Sequence, residues 1–315
     1  MIRVEAGMST AGFCRLIDMP ERTWRRWQGK ARAGWPATGP WPAPVAERVE
    51  ATVVKHAEAH TAWGHRKVWA MTRYDGEQVS ASTVLRVLRR RGLIAEAAAY
   101  QRQRRHLAAA RRAAFLVPPT GANMVWQLDF SEFETNAGGT WRFAGCADYW
   151  SKYEFGWHLS ATANQHDAIA AIELALAEAE RLEQRPLAEQ LVDEATGEIR
   201  PITIVTDNGG PFRSARFATF IHDHPELTHV RTKARSPGQN GVRERAFGSL
   251  KYERLYLEDI HDVTELWSHA EQYRLEFNQT RPHEALCWHR PLDVHLGIAD
   301  PTEPNFEIVR TLPRS

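Results

Sequence analysis

Ile202-Thr203-Ile204-Val205-Thr206-Asp207-Asn208-Gly209-Gly210 reads as a short apolar strand that ends on a carboxylate and turns back at once. Ile202–Val205 suits a buried strand, and Asn208-Gly209-Gly210 permits a tight chain reversal immediately after Asp207. Taken alone, Asp-Asn-Gly-Gly is a plain loop. Upstream, Met124–Phe130 alternates large apolar residues with others and sets Asp129 in the strand Trp126-Gln127-Leu128-Asp129-Phe130. Downstream, Asn240-Gly241-Val242-Arg243-Glu244-Arg245 places Glu244 in a helix. Between Asp129 and Asp207 lie 77 residues, and between Asp207 and Glu244 lie 36. One acidic residue means little among 39, so the neighbourhoods carry the information. Carboxylates from three elements suit a pair of divalent ions that act on phosphodiesters. Mg²⁺ prefers such hard oxygen ligands and keeps waters and substrate phosphates beside them.

These segments resemble the catalytic core of bacterial insertion-sequence transposases of the retroviral-integrase type. That family shows Trp-x-x-Asp in a first strand, Thr/Ser-Asp-Asn-Gly after a later one, and Asn-Gly-x-x-Glu-Arg opening a helix. Asp148-Tyr149-Trp150-Ser151-Lys152 is similar to its Asp-x-Phe-Ser-Arg strand–turn. Phe277-Asn278-Gln279-Thr280-Arg281-Pro282-His283 is similar to its C-terminal Tyr-Asn-x-x-Arg-Pro-His signature, which reads as packing and capping rather than chemistry. The resemblance implies a catalytic and metal-binding triad of Asp129, Asp207 and Glu244, with two Mg²⁺ ions as cofactor and Mn²⁺ able to substitute. It implies an α/β fold: a ribonuclease-H-like core, a mixed five-stranded sheet flanked by helices, preceded by small all-α helix-turn-helix domains. In that fold Asp129 lies mid-strand at the sheet centre, beside Asp207 at the exit of a parallel neighbour. The chain departs from the family in the long interval between Asp129 and Asp207. The excess falls in Pro186–Pro201, where Leu191–Ile199 reads as a small inserted hairpin.

The net charge of +1 conceals a division. Residues 1–120 hold 21 Lys and Arg against 9 Asp and Glu, and the remaining 195 hold 19 against 30. A basic first third is the electrostatic footprint of nucleic-acid binding, or simply a solvated basic surface. The composition, 43% hydrophobic and 25% charged, is ordinary for a folded soluble protein. No run of 18 apolar residues and no secretory h-region is seen. Three widely spaced cysteines argue against a disulfide framework and for a reducing setting. The histidines lack a zinc spacing with the cysteines, so no zinc module is expected.

Five segments follow. Residues 1–34 contain two short helices, one capped by Ser9 or Thr10 and one entered at Pro20 with Trp24 and Trp27 inside. They are readable as a helix-turn-helix or as any small helical hairpin. Residues 44–97 form a second helical unit: Val45–Ala59, a helix from Gly64, and one capped at Ser80 that ends at Gly92. This unit resembles the helix-turn-helix that precedes the core in these transposases, with Arg86, Arg89 and Arg90 on the candidate recognition helix. Residues 98–120 are a basic linker whose Arg102, Arg104 and Arg105 can neutralise phosphates. Residues 121–298 are the core and 299–315 a tail. Lys251, seven residues after Glu244 and therefore on the same helix face, matches the family's basic residue and reads as a phosphate contact. Asn240, Arg243 and Arg245 complete the expected DNA-binding set.

The function implied is a DNA transposase that binds terminal inverted repeats, cuts a strand and uses the 3′-OH to attack another phosphodiester. Its partners would be double-stranded DNA, further copies in a homodimer or larger assembly, and, as in some relatives, a separate DNA-binding partner from an upstream frame. A cytoplasmic, nucleoid-associated location and no membrane partner follow from that function. Two alternatives remain: a DNA-binding regulator with a vestigial core, and a nuclease of the same fold that cuts without joining.

Overall fold

The computed structural model describes residues 2–34, 45–94, 119–193, 195–231 and 237–307, except the side chains of Ile2, Val4, residues 237–242 and Glu244. The chain divides into two compact units, Met1–Arg48 and Val49–Ser315.

The first unit holds α1 (Ile2–Glu5), α2 (Thr10–Leu16), α3 (Glu21–Arg32) and α4 (Val45–Arg48). The Ser9 hydroxyl accepts the Gly12 N–H at 3.1 Å and caps α2, while Pro20 stands at the N-cap of α3. Phe13 and Trp24 pack with ring centroids 4.9 Å apart, closing the hairpin beside buried Cys14.

The second unit opens with α5 (Glu50–Ala59), α6 (His65–Tyr74) and α7 (Ala81–Arg91). Val53, Val68, Val84, Val87 and Leu88 are buried. Ser80 caps α7 through the Thr83 N–H, and Gly92 ends it in the left-handed region at φ 69°. The single helix expected over Val45–Ala59 is interrupted at Val49, whose side chain is fully buried.

The sheet is built from β1 (Val125–Glu134), β2 (Thr140–Asp148), β3 (Glu154–Ser160), β4 (Ile202–Thr206) and β5 (Leu227–Arg231). Its order is β3-β2-β1-β4-β5. The pairs β1–β2 and β2–β3 are antiparallel, whereas β1–β4 and β4–β5 are parallel. This is the mixed five-stranded, ribonuclease-H-like sheet. Between the strands run α8 (Gln165–Glu183), α9 (Leu187–Gln190) and α10 (Ala215–His222); after them come α11 (Pro237–Glu253), α12 (Val263–Gln279) and α13 (Pro291–His295). The expected insertion forms a hairpin, bridged at Val192 and Ile199.

Strand alternation sorts the two faces. Trp126, Leu128, Ala144, Cys146 and Phe155 pack with Ala168, Ala171, Ile172 and Ala175 of α8 and Phe217 of α10. Phe143 and Trp157 pack on the opposite face with Phe247 and Leu250 of α11 and with Leu266, Ala270, Tyr273 and Phe277 of α12. Gln127 and Asp129, alternating with Trp126 and Leu128, belong to the α11 face. A site here lies under α11, away from α8.

Candidate active site

The parallel ladder between β1 and β4 pairs Val125 with Thr203, Trp126 with Ile204 and Gln127 with Val205, a constant offset of 78. Asp129 and Asp207 stand at the same offset in sequence, two residues beyond the last paired positions, Asp129 in mid-strand and Asp207 just past the end of β4. Both residues are half-buried. Such a position, at the carboxyl end of a strand, is where open α/β sheets site ligands.

Local backbone geometry holds Asp207. The Gly209 N–H donates to its Oδ1 at 2.8 Å, an Asx turn. A Cβ on Gly209 would lie 2.9 Å from the same oxygen, so the Asp207 carboxylate would have to turn. The preceding Thr206 hydroxyl lies 2.9 Å from His229 Nε2. Burial, with Arg231 nearby, pushes the His229 pKa down and favours the neutral ring. Asp129 Oδ1 accepts the Phe130 N–H at 2.9 Å.

Glu244 lies on α11, a continuous helix packed against β1. Its backbone is therefore brought to the sheet face that bears Asp129. Among the described residues no group of three His, Cys, Asp or Glu stands ready to hold a metal; the Glu244 side chain is not among them. Lys251 is half-buried two turns further along α11. Burial lowers its pKa and the Glu132 carboxylate works against that shift.

Arg243 corrects an expectation. Assigned to DNA from sequence, it is fully buried and forms an ion pair with Glu154, itself buried on β3. The guanidinium carbon lies 4.4 Å from the Phe247 ring centroid. No part of Arg243 reaches solvent, so here it acts on the fold and not on a phosphate. Arg245 is half-buried. Arg86 and Arg89 are exposed on α7, Arg86 donating to the Thr83 hydroxyl at 2.9 Å. Arg90 is exposed too but pairs with Glu50, as does Arg91. Arg102, Arg104 and Arg105, and the side chain of Asn240, fall outside the described residues.

The two outlying motifs are structural. Asp148 accepts the backbone N–H groups of Asn123 and Ser151, at 2.8 and 2.7 Å, and the Ser151 hydroxyl at 2.7 Å. It thereby fixes the turn from β2 to β3. Asn278 clasps the backbone of Glu154, accepting its N–H at 2.9 Å and donating to its carbonyl at 2.8 Å. Arg281 binds Glu253 with Nε and Nη2, both at 2.8 Å. Sequence reasoning missed Glu154 and Gly145. Their partners lie on other strands and helices, and no local pattern signals such contacts.

The sequence profile of the integrase core domain family matches residues 226–291. The match takes in Glu244, Lys251 and the Phe277–His283 signature and stops short of Asp129 and Asp207. No curated protein matches in sequence. Similar solved structures include the catalytic core of the human T-lymphotropic virus 2 integrase in complex with magnesium, in its dimeric form. That one is 19% identical with a TM-score of 0.40, over 56% of this chain and 99% of that one. Integrase in the simian T-cell lymphotropic virus intasome, in complex with the PP2A regulatory subunit B56 gamma, is 17% identical with a TM-score of 0.45, over 84% and 78%. The catalytic core of the bovine immunodeficiency virus integrase is 21% identical with a TM-score of 0.36, over 56% and 95%.

Proposed function

We propose that this chain is a DNA transposase whose core cuts a strand and transfers the resulting 3′-OH to another phosphodiester. One observation carries the reading. Asp129 lies on β1 and Asp207 just past the end of its parallel neighbour β4, and the helix that bears Glu244 packs against β1. Their donor set fits a hard divalent cation: carboxylate oxygens on half-buried residues with access to solvent. Bound by Asp129, Asp207 and Glu244, two Mg²⁺ or Mn²⁺ ions would supply Lewis-acid activation of the attacking oxygen and charge compensation at the leaving one.

The chain's own groups supply the rest. The β1–β4 pairing brings the strand of Asp129 beside the strand that leads into Asp207. The Gly209 N–H orients Asp207. Lys251, two turns from Glu244 on one helix, would hold a DNA phosphate. Exposed Arg86 and Arg89 on α7, with the basic stretch at 102–112, would grip the element ends; α2 and α3 could add contacts. No covalent protein–DNA intermediate is needed, because the reacting hydroxyl is supplied by DNA. A dimer or larger assembly on paired ends, with or without an upstream-frame partner, would bring the two ends together in the cytoplasm.

Labelled element ends incubated with Mg²⁺ or Mn²⁺ test the reading. Asp129→Asn, Asp207→Asn and Glu244→Gln should each lower joining by on the order of a thousandfold, about 4 kcal/mol of transition-state stabilisation. End binding should stay within a few-fold. Variants that join ends normally would refute the mechanism; cutting without joining would mark a nuclease, and binding alone a regulator.

A further inference from the structure

A row of residues crosses the sheet at Asp129. Asp129 pairs with Gly145 on β2, and Gly145 pairs with Trp157 on β3. Partners in such a row project to the same face, about 5 Å apart. Gly145 has no side chain, and the vacant space is occupied. A Cβ there would lie 2.9 Å from Trp157 Nε1 and 3.0 Å from Arg243 Nη2. The Arg243 guanidinium thus rests over β2, at the residue paired with Asp129.

Two side chains seat it, and one of them is itself anchored from α12. The Glu154 carboxylate binds its Nη1 and also accepts the Trp157 Nε1–H at 3.2 Å. Phe247, one turn on, lies beneath its plane. Asn278 and Arg274 hold the Glu154 backbone from α12, Arg274 donating to the Glu154 carbonyl at 3.1 Å. Two further guanidinium atoms, Nε and Nη2, find no acceptor among the described residues. A buried ion pair with unmet donors contributes little stability over an apolar replacement. What it does well is to discriminate one arrangement from its neighbours.

We infer that Arg243 and Glu154 are positioning residues for Glu244. The pair sets the height and the rotation of α11 over Gly145, and so where the very next residue stands relative to Asp129 and Asp207. The inference rests on the proposed function, because it needs Glu244 to be the third carboxylate.

The test compares wild type with Arg243→Met, Glu154→Gln and the double variant. Thermal midpoint, Mn²⁺ affinity by electron paramagnetic resonance, end binding and metal-dependent joining are read for each. The single variants strand one buried charge and should melt several degrees lower. The double variant removes both charges and should regain the wild-type midpoint within about 3 °C. Joining should nevertheless stay at least tenfold down and Mn²⁺ affinity at least tenfold weaker, with end binding unchanged. A double variant that recovers midpoint, joining and Mn²⁺ affinity together shows a purely structural pair and overturns the inference. If wild type itself fails to join ends, the functional reading falls separately, and the Mn²⁺ comparison still decides this one: weaker binding supports it, equal binding overturns it.

Discussion

Asp207 is held by its own loop. The Gly209 N–H fixes one carboxylate oxygen, and the lack of a side chain at Gly209 is what lets the backbone come so near. Gly209→Ala should therefore displace the Asp207 carboxylate at a cost of about 0.5–1.5 kcal/mol, because the side chain must turn from its preferred rotamer. It should also reduce joining more steeply than stability alone explains if the clash falls on an oxygen that holds the proposed metal; equal joining per folded molecule would argue that Asp207 has no such role. Lys251 offers a different kind of check. If Lys251 holds one DNA phosphate as proposed, Lys251→Ala should lower the salt-dependence slope of DNA binding by about one, without altering sequence preference. An unchanged slope would leave Lys251 as a half-buried surface lysine beside Glu132.

At the scale of elements, β3 is the exposed problem. It lies at the edge of the sheet, and an edge strand presents unpaired backbone groups. Two elements cover it. Asn278 of α12 satisfies both backbone groups of Glu154, and Glu178 of α8 accepts the Gly156 N–H at 2.7 Å and the Tyr153 hydroxyl at 2.7 Å. Arg274 joins the two helices to this edge through Glu178 and the Glu154 carbonyl. The Phe277–His283 signature is therefore a clasp on the strand that carries the Arg243 partner. Asn278→Ala should lose about 1–3 kcal/mol, because the buried Glu154 N–H is left without its partner while Arg274 still donates to the Glu154 carbonyl. Differential scanning calorimetry would show it, and a loss below about 0.5 kcal/mol would mean that the edge finds other partners.

Across the second unit, α6 is joined to α11 and to the segment after α12 by an ion pair as well as by aromatic and hydrogen-bonded contact. Glu253, at the end of α11, receives Lys67 from α6 and both donors of Arg281. Tyr74 donates to the Trp288 carbonyl at 2.9 Å, and Trp69 packs edge-on against Trp288 at 5.5 Å. Although burial alone would raise it, the Arg281 and Lys67 charges bring the Glu253 pKa down from 4.5 to about 2. A depressed carboxylate stabilises the fold above its unfolded pKa, and that stability is lost as pH falls through the folded one. Wild type should thus exceed Glu253→Gln by about 3 kcal/mol near neutral pH, with the gap closing between about pH 4.5 and pH 2. Urea unfolding at stepped pH measures it; a gap independent of pH would remove Glu253 from the linkage. Because Glu253 and Glu244 share a helix, Lys67→Met should also loosen the end of α11 next to the helical unit.

The amino-acid sequence by itself determined the elements, with Asp129 inside one strand and Asp207 at the exit of another. Apolar runs, caps at Ser9 and Ser80, the left-handed Gly92 and the hairpin at Leu191–Ile199 are all products of interactions within a few residues, and such interactions are written in the chain. The motif around Asp207 is local in the same sense, since Gly209 acts two residues away. Only the tertiary structure decided what Arg243 does. Beside Glu244 and Arg245 it reads as one more surface cation, yet its partner Glu154 lies 89 residues upstream and the space it fills exists because Gly145 lacks a side chain. The same holds for Glu253, bound to Lys67 from 186 residues away. Whether a charge meets solvent or a buried counter-charge depends on which distant elements the fold brings over it, and no periodicity along the chain records that.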